Sequence, residues 1–268
     1  MNNKTRVDKK NIRIFGIMLF LVVTLFVAFF TYRYIENKST SNTNIVGLDI
    51  NKLPEYNGKP YVVINNNEPN FDKSELVSKS FEKYSELDSL KRCGVADSII
   101  GKDLMPTSKR ENISSVKPTG WKSVKYNGIE GGNLYNRCHL IGFQLAGENA
   151  NERNLITGTR YFNVEGMLPF ENQVADYVKS TGNHVLYRVR PIFKGNDLVA
   201  RGVQMEAQSV EDGGEGISFN VYCYNVQPGI RINYKDGSSQ PESKVQKNKN
   251  KNKNKKPYKS NKTKKARK

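Results

Sequence analysis

The chain has 268 residues, a net charge of +17 and a sequence pI near 9.6. Its length admits one substantial domain with tails, or two domains, while three cysteines without a C-x-x-C pair and only two histidines exclude a Cys/His zinc module. Residues 244–268 hold 12 Lys, one Arg and no acid, and residues 1–13 add a further +4, so residues 14–243 are formally neutral and pI is no argument for a basic nucleic-acid-binding body.

In chain order, the first element is residues 14–32, 19 residues without a charge. As a helix this run is about 28 Å long, close to the roughly 30 Å hydrocarbon thickness. Lys4, Arg6, Lys9, Lys10 and Arg13 precede it, which predicts a cytoplasmic N-terminus, a transmembrane anchor and an extracellular remainder. A cleaved signal peptide, giving a secreted protein, is the alternative; its apolar core would be shorter, and the bulky AFFTYRY segment offers no small-residue cleavage site. Residues 33–52, rich in Asn, Ser and Thr, read as a polar stalk. One α+β domain is expected over 53–237.

Within it, residues 61–64 read as a strand ended by Asn65-Asn66-Asn67. Residues 73–84 read as a short helix or loop, and two strands are expected around Arg92-Cys93-Gly94. Residues 105–121 hold two prolines, a glycine and the one tryptophan, a loop ending on Trp121, which is expected in the core. Asn127-Gly128 signals a hairpin, followed by a second turn at 130–133. Phe170, Val174 and Val178 recur every four residues and predict a helix over 160–180, closed by Gly182-Asn183. Residues 184–193, 198–207 and 217–225 read as an antiparallel meander, with His184 in a structural role. Residues 238–268 form a Lys/Asn tail too polar to bury a core, and are expected to be disordered. The cysteines allow one disulfide, such as Cys93–Cys138, with at least one thiol left over.

The residues that carry chemistry are Asn136-Arg137-Cys138-His139, then Asn154, Asn163 and Glu171. Singly, each has a plainer reading: a structural histidine, turn or cap asparagines, a carboxylate favouring a helix N-terminus, a surface arginine. Together they are the parts of a phosphodiester hydrolase. An attacking water needs a base such as His near its operating pH. The transition state gathers negative charge that a hard cation and an Arg would stabilise. Asn and carboxylate oxygens suit Mg²⁺, which keeps several waters.

This run resembles the DNA/RNA non-specific endonucleases of the ββα-metal (His-Me finger) superfamily. Their signature is Asp-Arg-Gly-His on a strand, followed by a helix bearing a metal-binding Asn. The family spacing of Asn, nine residues to Asn, then eight to Glu is met by Asn154, Asn163 and Glu171. The resemblance covers residues 85–237 and is nearest to the membrane-anchored bacterial nucleases of DNA uptake. It implies an α+β fold with a ββα-metal core and an antiparallel sheet, behind one N-terminal transmembrane helix. His139 would be the general base and Asn163 the direct Mg²⁺ ligand, with Mn²⁺ able to substitute. Glu171 would orient a metal-bound water, Asn154 would help fix the site, and Arg137 would contact phosphate, with Arg110 and Arg160 as further backbone contacts.

The sequence departs from the signature at Asn136, which keeps an oxygen but loses the charge of Asp, and at Cys138, which needs room that Gly does not. Cys138 is not read as a nucleophile for His139, because strand neighbours point to opposite faces. The resulting expectation is a cell-surface endonuclease for DNA, with RNA left open. The alternative is an inactive nuclease fold that tethers DNA or anionic wall polymers through the tail. A pure binder has no use for His139, Asn163 and Glu171 together.

Overall fold

The computed structural model describes Leu48 and residues 50–242. The expected cytoplasmic segment 1–13, span 14–32, most of the stalk and the tail beyond 242 lie outside the described residues. Among those described, no helix is long and apolar enough to cross a membrane.

The framework is a six-stranded antiparallel sheet in the order β1-β8-β7-β6-β3-β2. Its strands are β1 (Tyr61–Val63), β2 (Phe81–Tyr84), β3 (Ala96–Ile100), β6 (Val185–Ile192), β7 (Gly202–Ser209) and β8 (Ser218–Tyr224). The last three are the expected meander. Strand β8 shows how period-two alternation serves two faces. Phe219, Val221 and Cys223 enter the main core, while Tyr222 and Tyr224 enter a second, smaller cluster. Leu48, Leu53 and Tyr56 pack on that second cluster, so the final residues assigned to the stalk belong to the fold.

The main core is closed by the helix α2 (Leu168–Thr181), which buries Phe170, Val174, Ala175 and Val178. Pro169 sits in its first turn and Gly182, at φ +79°, ends it, positions that favour these two residues. A π-helical turn, Phe162–Met167, leads into it. Before that turn comes a separate two-stranded ribbon, β4 (Tyr135–His139) and β5 (Leu155–Thr159). A short helix, α1 (Phe143–Ala146), lies in their connection. Ribbon, π turn and α2 together form a ββα unit against the sheet.

Three local expectations shift. Residues 73–84 contain a 3₁₀ turn, Lys73–Glu75, with a capping box from Asp72, and then β2 rather than a helix. Strand β2 lies at the sheet edge, where mixed charge is tolerated. The two strands expected around Arg92 flank it at a distance, as β2 and β3, separated by a turn with Lys91 at φ +63°. Strand β7 starts at Gly202, not 198, because Leu198 and Val199 both donate their backbone N–H to the Tyr234 carbonyl at 2.9 Å. Beyond Gly237 the chain continues as β10 (Ser239–Pro241), paired with β9 (Ile230–Ile232).

Candidate active site

The β4–β5 ribbon sorts the signature residues. Arg137 pairs with Thr157 and His139 with Leu155, while Asn136 pairs with Gly158 and Cys138 with Ile156. Alternation therefore sends Arg137 and His139 to one face and Cys138 to the other. Cys138 is fully buried in the core. Its Sγ occupies the space above Gly158, where a Cβ would lie only 2.5 Å away. The extra bulk of Cys is thus met by a missing side chain on the next strand. All three cysteines are free, so the Cys93–Cys138 pairing is not formed. Cys93 Sγ instead faces the carbonyls of Glu152 and Leu155, each at 3.2 Å. Burial pushes the Cys93 thiol up to about 12 and raises Cys138 and Cys223 as well, so none is a thiolate nucleophile.

His139 opens on a cleft of roughly 820 Å³. Arg110, Lys117, Lys122, Arg137 and Arg160 line it, with Glu171 as the one carboxylate. The formally neutral body is therefore strongly basic at this place. His139 is 6% exposed. Its Nε2 lies 2.9 Å from the Asn149 carbonyl, which can only accept, so Nε2 carries the proton and Nδ1 the lone pair. Arg110 Nη2 is 3.3 Å from Nδ1. Burial, reinforced by the Arg110 cation, pushes His139 down to about 4 against the Asn149 hydrogen bond, so the ring is neutral at pH 7.

Glu171, in the first turn of α2, is 9% exposed and has no ion-pair partner within 4 Å among the described residues. Burial pushes its carboxyl up to about 7, an effect that Arg110 and Gln144 offset only in part. Gly142 allows the turn after His139 to reach this carboxylate: a Cβ there would lie 2.7 Å from Oε2. Asn163 sits in the π turn, a form that recurs at functional sites. It lines the same cleft, and its side chain makes no hydrogen bond among the described residues. A buried carboxylate without a cation and an unengaged amide oxygen on one cleft fit a hard divalent ion such as Mg²⁺ or Mn²⁺.

The remaining expected site residues fall into two groups. Arg110 and Arg160 line the cleft, Arg160 held by Glu130 at 2.9 Å. Asn154, grouped with the catalytic residues from spacing, does not line it. It is fully buried, and its amide brackets Ile141, accepting from the backbone N–H at 2.8 Å and donating to the carbonyl at 3.1 Å. It fixes the turn that follows His139, which makes it a positioning residue. Trp121 is not in the core either. It is half-buried on the cleft wall with the Arg137 guanidinium 4.0 Å from its ring centroid. Arg137 donates from Nε to the Val116 carbonyl and from Nη2 to the Ser114 carbonyl at 3.0 Å.

Several contributors carry no sequence signal. Lys117 and Lys122 sit in a loop whose path over the cleft is set by tertiary contacts. Asn149 acts through its backbone. Asn225, fully buried, ties the ribbon to the end of β8: it accepts from Thr159 N at 3.0 Å and donates to the carbonyls of Thr157 and Ala200 at 3.0 and 2.9 Å.

Comparison with known proteins agrees with this geometry. Residues 72–211 match the sequence profile of the DNA/RNA non-specific endonuclease family. NucA from Streptococcus agalactiae with a magnesium ion bound superimposes with a TM-score of 0.63 at 25% identity, covering 72% of this chain and 92% of that one. Metal-free NucA gives 0.62 at 26% identity over the same shares. Sda1 nuclease with a bound zinc ion gives 0.57 at 26% identity, over 69% of this chain and 97% of that one. With more than half its length matched to that profile, and its ribbon, helix and cleft set out as described, the chain belongs to the DNA/RNA non-specific endonuclease family and is a nuclease that hydrolyses phosphodiester bonds.

Proposed function

We propose that this nuclease cuts DNA, and RNA by the same backbone-directed chemistry, with His139 as general base and Asn163 and Glu171 holding a divalent cation. The observation that carries this reading is the neutral, buried His139 with its lone-pair nitrogen on a basic cleft. A base must be unprotonated at the working pH, and the low pKa of His139 meets that requirement. The Asn149 carbonyl fixes the ring with Nδ1 as the basic nitrogen, which takes the proton of the attacking water once Arg110, now donating to Nδ1, turns to the substrate phosphate. Arg110, beside Nδ1, and Arg160 supply positive charge to the phosphate oxygens. A cation bound at Asn163 and Glu171 would add Lewis-acid stabilisation of the charge developing on the phosphate, and Mg²⁺ is the ion favoured by an all-oxygen donor set. The cations gathered on the cleft suit a phosphate backbone, which carries no sequence information.

The same proposal places the enzyme outside the cell. Residues 14–32 serve as a single membrane anchor and the basic residues before them keep the N-terminus inside. The Lys-rich tail then meets polyanions, DNA or wall polymers, at the surface.

The test is direct. Residues 40–268 are incubated with supercoiled plasmid and MgCl₂, alongside EDTA and His139→Ala controls. Wild type should nick and then degrade the plasmid; EDTA should abolish this, and His139→Ala should lower the rate by about 10²-fold or more. A protein that binds plasmid yet leaves it intact in Mg²⁺ and Mn²⁺ would instead be a DNA tether built on a nuclease fold.

A further inference from the structure

We infer that Arg137 is a positioning residue: it clasps the loop of residues 113–122 over the cleft, and is not itself the phosphate ligand. The inference rests on the nuclease reading above. Its first support is where the guanidinium spends its donors. Nε donates to the Val116 carbonyl and Nη2 to the Ser114 carbonyl, so two of the three nitrogens are committed to loop backbone. The cationic plane also stacks on Trp121, at 4.0 Å. Arg137 thereby joins both ends of one loop, Ser114 and Val116 on one side and Trp121 on the other.

The loop needs such a tie. Residues 114, 115 and 117 are exposed. Its other side-chain ties to the rest of the fold run through Thr119, whose Oγ1 donates to the Leu198 carbonyl at 2.6 Å and whose carbonyl accepts from Thr157 Oγ1 at 2.9 Å. What the loop delivers is charge: Lys117 and Lys122 both stand on the cleft wall because it is held there. An extended nucleic acid lying along the cleft would meet these lysines, and a single small phosphodiester at His139 should depend on them far less. Arg137 therefore acts on how long substrates bind, through the loop.

The two roles make opposite demands on a lysine. At a phosphate contact Lys keeps the charge and loses only the second hydrogen bond of the fork. It has neither the planar fork for two carbonyls nor the face for a Trp ring. Arg137→Lys is thus the decisive variant, compared with Trp121→Leu, Trp121→Phe and His139→Ala. Limited trypsinolysis at Lys122, on the bond to Ser123, reads the loop; Lys117 is followed by Pro118 and is not cut. Steady-state cleavage of long duplex DNA and of thymidine 3′,5′-bis(p-nitrophenyl phosphate) separates long-substrate binding from chemistry.

For a clasp, Arg137→Lys and Trp121→Leu speed tryptic cleavage after Lys122 and raise KM for long DNA by about tenfold, with a much smaller loss of kcat on the small ester. Trp121→Phe, which keeps a stacking face, stays close to wild type, and His139→Ala keeps the loop protected. The clasp is overturned if Arg137→Lys leaves the loop protected, or if kcat on the small ester falls as far as cleavage of long DNA. The trypsin arm uses no substrate. It decides the clasp even if wild type cuts neither substrate, a result that would remove the nuclease reading instead.

Discussion

At Glu171 the balance of burial and charge has a measurable consequence. Its carboxyl is pushed from an ordinary 4.5 to about 7 by burial, so in the metal-free protein folding favours the protonated form. A raised carboxyl pKa gives stability that is full below the unfolded value and is lost as pH rises through the folded one. The metal-free enzyme should therefore weaken between about pH 4.5 and 7, by roughly 3 kcal/mol at 1.36 kcal/mol per unit. Glu171→Gln, in EDTA at pH 8, should melt higher than wild type while cutting no DNA. Added Mg²⁺ should raise the Tm of wild type and not that of the variant. A variant that melts at or below wild type in EDTA would mean that the carboxylate is not an uncompensated charge. His139 runs the other way: its lowered pKa gives stability present above 6.5 and lost as pH falls toward 4. At this scale the sequence spacing located His139, Asn163 and Glu171 on one cleft, because their chemistry follows from a motif. It misplaced Trp121, since a lone large aromatic reads as core until a guanidinium is found on its face. Asn154, expected to help fix the site, braces the backbone of Ile141 from within the core and does not reach the cleft, a distinction that spacing alone does not make.

Among the elements, the β9–β10 ribbon is the one that local pattern understated. Lys235-Asp236-Gly237 reads as a turn that ends a domain, and its real contact is 117 positions away in sequence. A Cβ on Gly237 would lie 1.8 Å from the Gly120 carbonyl, and Gly237 has φ +77°. Tyr135 donates to the Gly237 carbonyl at 3.0 Å, and Tyr126 and Ser239 hydroxyls meet at 2.9 Å. The ribbon thus backs the loop that carries Trp121 and Lys122. Gly237→Ala combines a steric clash with a left-handed backbone, and should cost about 1–3 kcal/mol and raise KM for DNA. Denaturant unfolding together with a KM measurement checks this; an unchanged midpoint would show that the two loops part freely. The meander and α2 were legible because each has a clean period, two in β6 and β8 and four in Phe170, Val174 and Val178. The strand β2 was not, since edge position replaces alternation with mixed charge.

Across the whole molecule, charge is partitioned rather than spread. The body is neutral in sum, its cleft is basic, and the termini hold the excess. On the proposed function the cleft would supply phosphate contacts close to the chemistry, and the tail would supply long-range attraction that salt screens. Removing residues 243–268 should leave kcat unchanged, raise KM for DNA at low ionic strength, and make no difference at high salt. A loss of kcat on truncation, seen in a salt titration of both forms, would place the tail in the catalytic step. This partition was readable from residue counts for the termini, whereas the basic cleft needed the fold, because its five cations come from three separate stretches of chain.

In angular terms, the π turn over Phe162–Met167 is a phase correction. Residues of an α-helix advance about 100° each, so eight of them would leave Asn163 and Glu171 roughly 80° apart around the axis. A π turn absorbs one extra residue. The eight steps then advance about as seven would, and the two side chains return to within about 20° of each other. The spacing of eight that marks this pair in the sequence is the linear trace of that rotation.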